Sequence, residues 1–139
     1  MDPIAPLILL VDDCAEDASM YAEFLIAAGF RVTTATNGSE AVIRTLSAAP
    51  DLIVMDLEMP GISGWDATRL LRSDQRTRAI PIIALSGFYD TPAVMRAISA
   101  GCGRFVPKPC LAAELESVVR STLARDGGKS ALPSPTREP

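Results

Sequence analysis

The sequence predicts an open, doubly wound α/β domain built on a parallel sheet. Short β-branched apolar runs alternate five times with segments of helical periodicity. The third run, residues 52–55, is wholly apolar, as is typical of a central strand buried on both faces. Because crossovers between parallel strands are nearly always right-handed, helices are expected to cover both faces of this sheet.

Each element can be placed from these runs. Strands are predicted near residues 7–12, 31–35, 51–56, 80–85 and 104–106. Helices are predicted near residues 16–28, 39–48, 64–74, 91–100 and 111–124. Ser39 and Asp90 are expected to cap helix N-termini, and Pro92 suits a first helical turn. Gly29 and Gly101 allow the positive φ angles at which helices often stop.

Length and composition predict one domain with a tail. The chain has 139 residues, 48% of them hydrophobic, which is enough for one compact core over residues 1–125. From residue 126 to 139 the sequence is rich in Gly, Ser, Pro and charged residues. Such a composition cannot bury enough apolar surface to order itself, so a disordered C-terminal tail is expected.

Charge and hydropathy exclude several classes of protein. The net charge is −4 and the basic residues are scattered, which disfavours direct nucleic-acid binding. No apolar run is long enough to span a bilayer, and the N-terminus does not resemble a signal peptide. We therefore expect a cytoplasmic protein that does not enter membranes.

Cysteine and histidine usage narrows the chemistry further. The three cysteines Cys14, Cys102 and Cys110 form no CxxC pair, which suits a reducing compartment, and each is expected to be a small buried packing residue. The chain contains no histidine. This absence excludes Ser-His-Asp and Cys-His catalysis within the chain and disfavours a zinc site.

Acidic residues follow two of the predicted strands. Asp12 and Asp13 come after the first strand, and Asp56 ends the third. Since the carboxyl ends of parallel strands share one edge, these carboxylates can meet in one crevice. Gathered carboxylates repel one another unless a cation neutralises them. Mg²⁺, with Mn²⁺ as a substitute, prefers such oxygen ligands and is the predicted cofactor.

A hydroxyl and an amine follow the last two strands. Ser86 comes after the fourth strand and Lys108 after the fifth, so both can reach the same edge. Together they can bind the oxygens of a phosphoryl group. Because a carboxylate can attack phosphorus to form an acyl phosphate, Asp56 of the central strand is the predicted phosphoryl acceptor.

Each of these residues also has a simpler interpretation. An Asp-Asp pair after a strand often only caps the next helix, and a lone serine or lysine can be a cap or a solvated charge. The functional interpretation is favoured because all of them fall at carboxyl ends of predicted strands. Trp65, Met55 and Met59 are expected to be packing residues.

Four motifs occur in a fixed order along the chain. They are Leu-Val-Asp-Asp, Asp-Leu-Ile-Val-Met-Asp-Leu-Glu-Met-Pro-Gly-Ile-Ser-Gly, Ile-Ile-Ala-Leu-Ser-Gly and Lys-Pro. In this order and spacing they resemble the receiver domains of response regulators from bacterial two-component systems, and the likeness covers residues 7–124. The resemblance implies a flavodoxin-like (βα)5 doubly wound parallel sheet with strand order 2-1-3-4-5.

The resemblance also implies a role for each acidic residue. Asp56 accepts the phosphoryl group in a Mg²⁺-dependent reaction. Asp13 binds the metal directly, Asp12 contacts it through water, and the backbone carbonyl of Glu58 is a further ligand. The Glu58 side chain departs from the commonest pattern, and this additional carboxylate is expected to alter autodephosphorylation.

The remaining matched positions concern the phosphoryl group and the switch. By resemblance, Ser86, Gly87 and Lys108 contact phosphoryl oxygens. Ser86 and Phe105 match the coupled switch pair, with Phe105 standing where tyrosine is common. The Lys108–Pro109 peptide matches the cis bond of the family, which is accessible because it precedes proline.

These matches imply a signalling domain whose only reactions are its own phosphotransfer and autodephosphorylation. A histidine kinase or a histidine phosphotransfer protein would be the donor. The fourth helix, fifth strand and fifth helix would form the surface that binds a downstream protein. The sequence does not separate a stand-alone regulator from an excised domain.

Two alternatives stay open at this point. The chain could be a pseudo-receiver that binds partners without being phosphorylated. It could also be an aspartyl-phosphate hydrolase of the haloacid dehalogenase type, although Glu58 stands where a second aspartate is expected and no cap insertion is visible.

Overall fold

A computed structural model describes residues 4–87 and 91–127. Within these residues, five strands form one parallel sheet in the order β2-β1-β3-β4-β5, which confirms the predicted fold class. The strands are β1 Leu7–Val11, β2 Arg31–Ala35, β3 Leu52–Asp56, β4 Ile82–Ser86 and β5 Arg104–Pro107.

The helices alternate with the strands as predicted. They are α1 Ala15–Ala27, α2 Gly38–Ala48, α3 Gly64–Ser73, α4 Thr91–Ala100 and α5 Ala112–Thr122, followed by a π-helical turn at Leu123–Gly127. The predicted tail therefore begins with two residues that belong to this turn, and the rest of it lies outside the described residues. Among the described residues, none of the helices combines the length and apolar character that crossing a bilayer requires.

Alternation along the central strands divides the core into two halves. On β1, Leu9 and Val11 face the same half as the buried residues of α2, α3 and α4, whereas Ile8 and Leu10 face the half that contains the buried residues of α1 and α5. All four side chains are inaccessible to solvent. Burial of each such side chain contributes about 1.5–3 kcal/mol, so the central strands are firmly fixed.

Strand register aligns the carboxyl ends at one edge. Val11 at the end of β1 pairs with Met55, and Asp56 at the end of β3 pairs with Leu85. Ser86 at the end of β4 pairs with Pro107. The residues that follow these strands consequently emerge together at this edge.

Gly64 fixes the distance between β3 and the start of α3. A Cβ atom at this position would clash with the carbonyl oxygen of Asp56 and lie 2.7 Å from the Cα atom of Leu57. The Gly64 N–H donates to the carbonyl oxygen of Leu57 at 3.1 Å. A residue without a side chain is therefore needed here for the helix to pack against the end of β3.

Most helix-end predictions agree with the structure, and one is wrong. Gly29 and Gly101 have φ angles of 107° and 117°, and Pro92 lies in the first turn of α4. The cap of α2 is Asn37 and not Ser39, because the Asn37 side chain accepts a hydrogen bond from the N–H of Glu40 and the helix already begins before Ser39. Asp90, the other predicted cap, lies outside the described residues.

The cysteine prediction holds for only part of the set. Cys102 is buried and Cys110 is half-buried, but Cys14 is exposed. Cys14 stands at the N-cap position of α1, in the connection that follows β1, and therefore not on a buried face of the strand or the helix.

The other predicted packing residues lie in the core or at its edge. Met55 and Met59 are buried, while Trp65 is half-buried against the half of the core beneath α2, α3 and α4. The Arg96 guanidinium of α4 lies 4.1 Å from the centre of the Trp65 ring, a cation–π contact between α3 and α4.

Candidate functional site

Three carboxylates meet at the carboxyl edge of the sheet. One carboxylate oxygen from each of Asp12, Asp13 and Asp56 lies within 4.8 Å of the other two. Asp12 is inaccessible and Asp56 is only 3% exposed, whereas Asp13 is open to solvent. The structure thus brings together the acidic residues that the sequence indicated, with an open side through which a cation can enter.

Backbone groups hold the two buried carboxylates in place. The Asp12 N–H donates to the carbonyl oxygen of Ala35 at 3.0 Å, and Asp12 Oδ1 accepts from the N–H of Cys14 at 2.9 Å. Asp56 Oδ1 accepts from the N–H of Glu58 at 3.2 Å. The Oδ1 atom of each carboxylate is thereby held by a backbone N–H, which fixes the orientation of the side chain.

Lys108 lies between the two buried carboxylates. Its Nζ atom is 3.3 Å from Asp12 Oδ2 and 3.4 Å from Asp56 Oδ2. Its backbone N–H donates to the carbonyl oxygen of Ser86 at 2.7 Å, and its peptide bond to Pro109 is cis, the isomer that the resemblance implies. The ammonium partly neutralises the cluster and is fixed at the side where β4 and β5 end.

Burial dominates the electrostatics of Asp56. It raises the pKa of this carboxyl to about 7, and the negative charges of Asp12 and Glu58 act in the same direction. The Lys108 ammonium and the N–H of Glu58 oppose this rise without cancelling it. The carboxyl group of Asp56 is therefore only partly ionised at neutral pH, and additional positive charge nearby would favour the carboxylate form.

The pKa of Lys108 moves in the direction that keeps it charged. Burial lowers it, but attraction to Asp56 and Asp12 outweighs burial and raises the pKa above its ordinary value. Lys108 is consequently a permanent cation at physiological pH.

Ser86 and Gly87 both hydrogen-bond the side chain of Glu58. The Ser86 hydroxyl donates to Glu58 Oε2, and the Gly87 N–H donates to Glu58 Oε1 at 3.1 Å. The two donors that the sequence assigned to a phosphoryl group therefore face the site, where they hold a carboxylate of the chain itself. Sequence reasoning placed Glu58 beside the site but missed this contact.

Asp17 is a further acidic residue near Lys108 that sequence reasoning did not indicate. Its Oδ2 atom lies 4.0 Å from Lys108 Nζ. The sequence offered a signal, because Asp17 lies in the first turn of the helix that directly follows Asp12 and Asp13.

Phe105 lies on β5 and is half-buried against the half of the core beneath α2, α3 and α4. It pairs in register with Ala84, two residues before Ser86 on the neighbouring strand. The two residues assigned to the switch by resemblance therefore occupy adjacent strands, with Phe105 deeper in the sheet than the site.

The donor set fits a hard divalent cation. Oxygen atoms alone are supplied by Asp12, Asp13 and Asp56, and one of these residues is open to water. Mg²⁺ prefers oxygen ligands, retains several waters and needs few protein carboxylates. Soft ligands that would favour zinc or copper do not belong to this cluster.

Comparison with known proteins identifies the family. The family described as "Response regulator receiver domain" matches residues 8–120 of the chain. This chain belongs to that family. Receiver domains are signalling domains of bacterial two-component systems that interact with a kinase or phosphotransfer partner, and they bind Mg²⁺ at an acidic pocket of the kind formed here.

A curated relative of this receiver domain is the DNA-binding response regulator MtrA of Mycobacterium tuberculosis. The two are 34% identical over 131 residues, which is 94% of this chain and 56% of MtrA. The receiver domain thus spans about half the length of that regulator.

Solved structures show the same fold at similar identity. The receiver domain of a signal transduction histidine kinase from Syntrophus aciditrophicus is 32% identical, has a TM-score of 0.81, and is matched over 94% of this chain and 98% of its own. The receiver domain of a sensor histidine kinase from Pseudomonas aeruginosa is 30% identical with a TM-score of 0.80, matched over 86% and 98%. That structure has a magnesium ion coordinated in its active-site cleft.

Proposed function

We propose that this receiver domain accepts a phosphoryl group on Asp56 from a histidine kinase or a histidine phosphotransfer protein, in a reaction that depends on Mg²⁺. The observation that carries the proposal is the position of Lys108, whose ammonium lies between the buried carboxylates of Asp12 and Asp56 beside the acidic cluster. An ammonium 3.4 Å from Asp56 Oδ2 is near enough to pair with an oxygen of a phosphoryl group attached there.

The residues of the chain have distinct tasks in this reaction. Asp56 Oδ1 is held by the N–H of Glu58, so the Oδ2 atom near Lys108 is the proposed nucleophile. Its oxygen forms a bond to phosphorus while the P–N bond of the donor breaks and leaves its electron pair on the imidazole nitrogen. Lys108 neutralises a phosphoryl oxygen throughout.

The metal would be held by Asp12, Asp13, Asp56 and the backbone carbonyl of Glu58. When bound, Mg²⁺ (or Mn²⁺) supplies positive charge that neutralises phosphoryl oxygens. The same charge opposes the effect of burial, the largest cause of the raised pKa of about 7 at Asp56. Metal binding is therefore proposed to favour the ionised nucleophile.

The proposed output is a change of protein contacts. Ser86 would be drawn to the new phosphoryl oxygens, and Phe105 would turn into the space beside it. The surface of α4, β5 and α5 carries exposed apolar side chains, since Met95 and Ile98 are 55% and 56% exposed. Such side chains favour binding of a downstream protein over contact with DNA.

Mass spectrometry tests the acceptor. Parent protein, Asp56→Asn and the control Asp66→Asn are incubated with a small phosphodonor and Mg²⁺, and intact masses are recorded. Asp66 is an exposed aspartate on α3 that pairs with Arg69, so its loss leaves the site unchanged. One added phosphoryl group is expected on the parent and the control, and none on Asp56→Asn. A label that persists in Asp56→Asn contradicts the assignment, and no label on any chain would favour the pseudo-receiver.

A further inference from the structure

We propose that the Glu58 side chain is an internal anion that occupies the phosphoryl-oxygen subsite until Asp56 is phosphorylated, and that it slows phosphorylation by competing for the donors there. The inference rests on the proposed function of Asp56. In this role Glu58 is a positioning residue, which holds Ser86 and Gly87 before Asp56 is phosphorylated.

The first argument is the match between donors and oxygens. Ser86 and Gly87 each donate to a different oxygen of the Glu58 carboxylate. Both oxygens of this anion are therefore held, one by a hydroxyl and the other by a backbone N–H at 3.1 Å. A phosphoryl group on Asp56 would need the same two donors, and each of these protons can serve only one strong acceptor at a time.

The second argument is the connection between Glu58 and the acceptor. The backbone N–H of Glu58 holds Asp56 Oδ1 while its side chain holds Ser86 and Gly87. Rotation about the side-chain bonds can release the donors without disturbing the acceptor. Glu58 is half-buried, so its carboxylate has a short path to solvent when it leaves.

The third argument is charge. The acidic cluster already contains the carboxylates of Asp12, Asp13 and Asp56 beside the single ammonium of Lys108. An incoming phosphoryl group brings further negative charge to the place where Glu58 lies. Departure of Glu58 therefore relieves repulsion as well as freeing the donors.

Four variants separate the effect of the length of the Glu58 side chain from the effect of its charge. Glu58→Gln keeps the length of the side chain and removes its charge, whereas Glu58→Asp keeps the charge and shortens the side chain by one methylene. Glu58→Ala removes both. Asp17→Asn is the matched control, because it removes one negative charge 4.0 Å from Lys108 without touching Ser86 or Gly87.

The rate of labelling is measured at a fixed concentration of acetyl phosphate and Mg²⁺. Since charge-assisted hydrogen bonds are strong, Glu58→Ala and Glu58→Gln are expected to be labelled about tenfold faster than the parent. Glu58→Asp is expected to fall between them and the parent, and Asp17→Asn to change by less than about twofold. Equal rates for parent and Glu58→Gln, or equal acceleration by Asp17→Asn, would overturn the inference.

A second readout needs no phosphorylation. The amide proton resonance of Gly87 is recorded by NMR in the parent and in Glu58→Gln, and it is expected to move upfield when the charged acceptor is lost. An unmoved resonance overturns the inference even if the parent is labelled. Failure to label any chain, with the Gly87 resonance moving as expected, overturns the proposed function of Asp56 and leaves the resting contact standing.

Discussion

The raised pKa of Asp56 predicts how stability depends on pH in the absence of metal. Its carboxyl titrates at about 7 in the folded protein, compared with an ordinary value of 3.8. Between these two values the unfolded chain has lost the proton and the folded protein still holds it. The folded state therefore binds more protons than the unfolded state, and stability falls as pH rises through this window.

The size of this fall in stability follows from the difference between the two pKa values of Asp56. A difference of about three units, at about 1.4 kcal/mol per unit, corresponds to about 4 kcal/mol at most. We therefore expect a fall of about 2–4 kcal/mol, complete slightly above pH 7. Asp56→Asn has no carboxyl to ionise at this position, and this component of the pH dependence is removed.

Urea denaturation in EDTA between pH 4.5 and pH 8 measures the effect. The free energy of unfolding of Asp56→Asn minus that of the parent is expected to grow with pH up to about pH 7 and then to stay constant. Addition of Mg²⁺ is expected to reduce this difference, because the cation stabilises the ionised parent. Parallel pH profiles of the two proteins, with and without the metal, would refute the assigned electrostatics.

Three further predictions concern the same edge of the sheet. Lys108→Met is expected to raise the pKa of Asp56 above its value in the parent, because a neighbouring cation is lost. A carboxyl ¹³C NMR titration of Asp56 checks this, and an unchanged midpoint argues against the ion pair between Lys108 and Asp56. Gly64→Ala is expected to lower the free energy of unfolding, measured by urea denaturation, by about 2 kcal/mol or more. The control Gly87→Ala, where an added Cβ meets nothing within 4 Å, should cost less than about 0.5 kcal/mol. Equal losses would contradict the close approach of Gly64 to the end of β3. Millimolar Mg²⁺ is expected to raise the melting temperature of the parent and to have a smaller effect on Asp13→Asn, and the same rise in both would exclude Asp13 as a ligand.

The sheet was predictable because its signals are local. Apolar runs of four or five residues separated by helical segments leave few topologies open once right-handed crossovers are required. The cap of α2 was harder, since Asn37 and Ser39 are both good capping residues separated by one glycine. The choice depends on which side chain reaches the N–H of Glu40, and residue preference does not decide that.

The site was predictable where it depends on the backbone. Asp12 and Lys108 follow strands and Asp56 ends one, and these strand ends share one edge, so the meeting of the three residues follows from topology. The contact of Glu58 with Ser86 was not predictable in this way, because it depends on the rotamer of a flexible side chain. The exposure of Cys14 likewise follows from the turn between β1 and α1 and not from residue type.

Trp65 gives the molecule an optical reporter of its own. It is the one tryptophan in the sequence, and the guanidinium of Arg96 is held over its ring from the neighbouring helix. Indole emission responds to nearby charge and water, so a displacement of α4 relative to α3 changes the fluorescence without any attached dye. Motion of α4, which belongs to the proposed partner-binding surface, can thus be followed in real time on the unaltered chain.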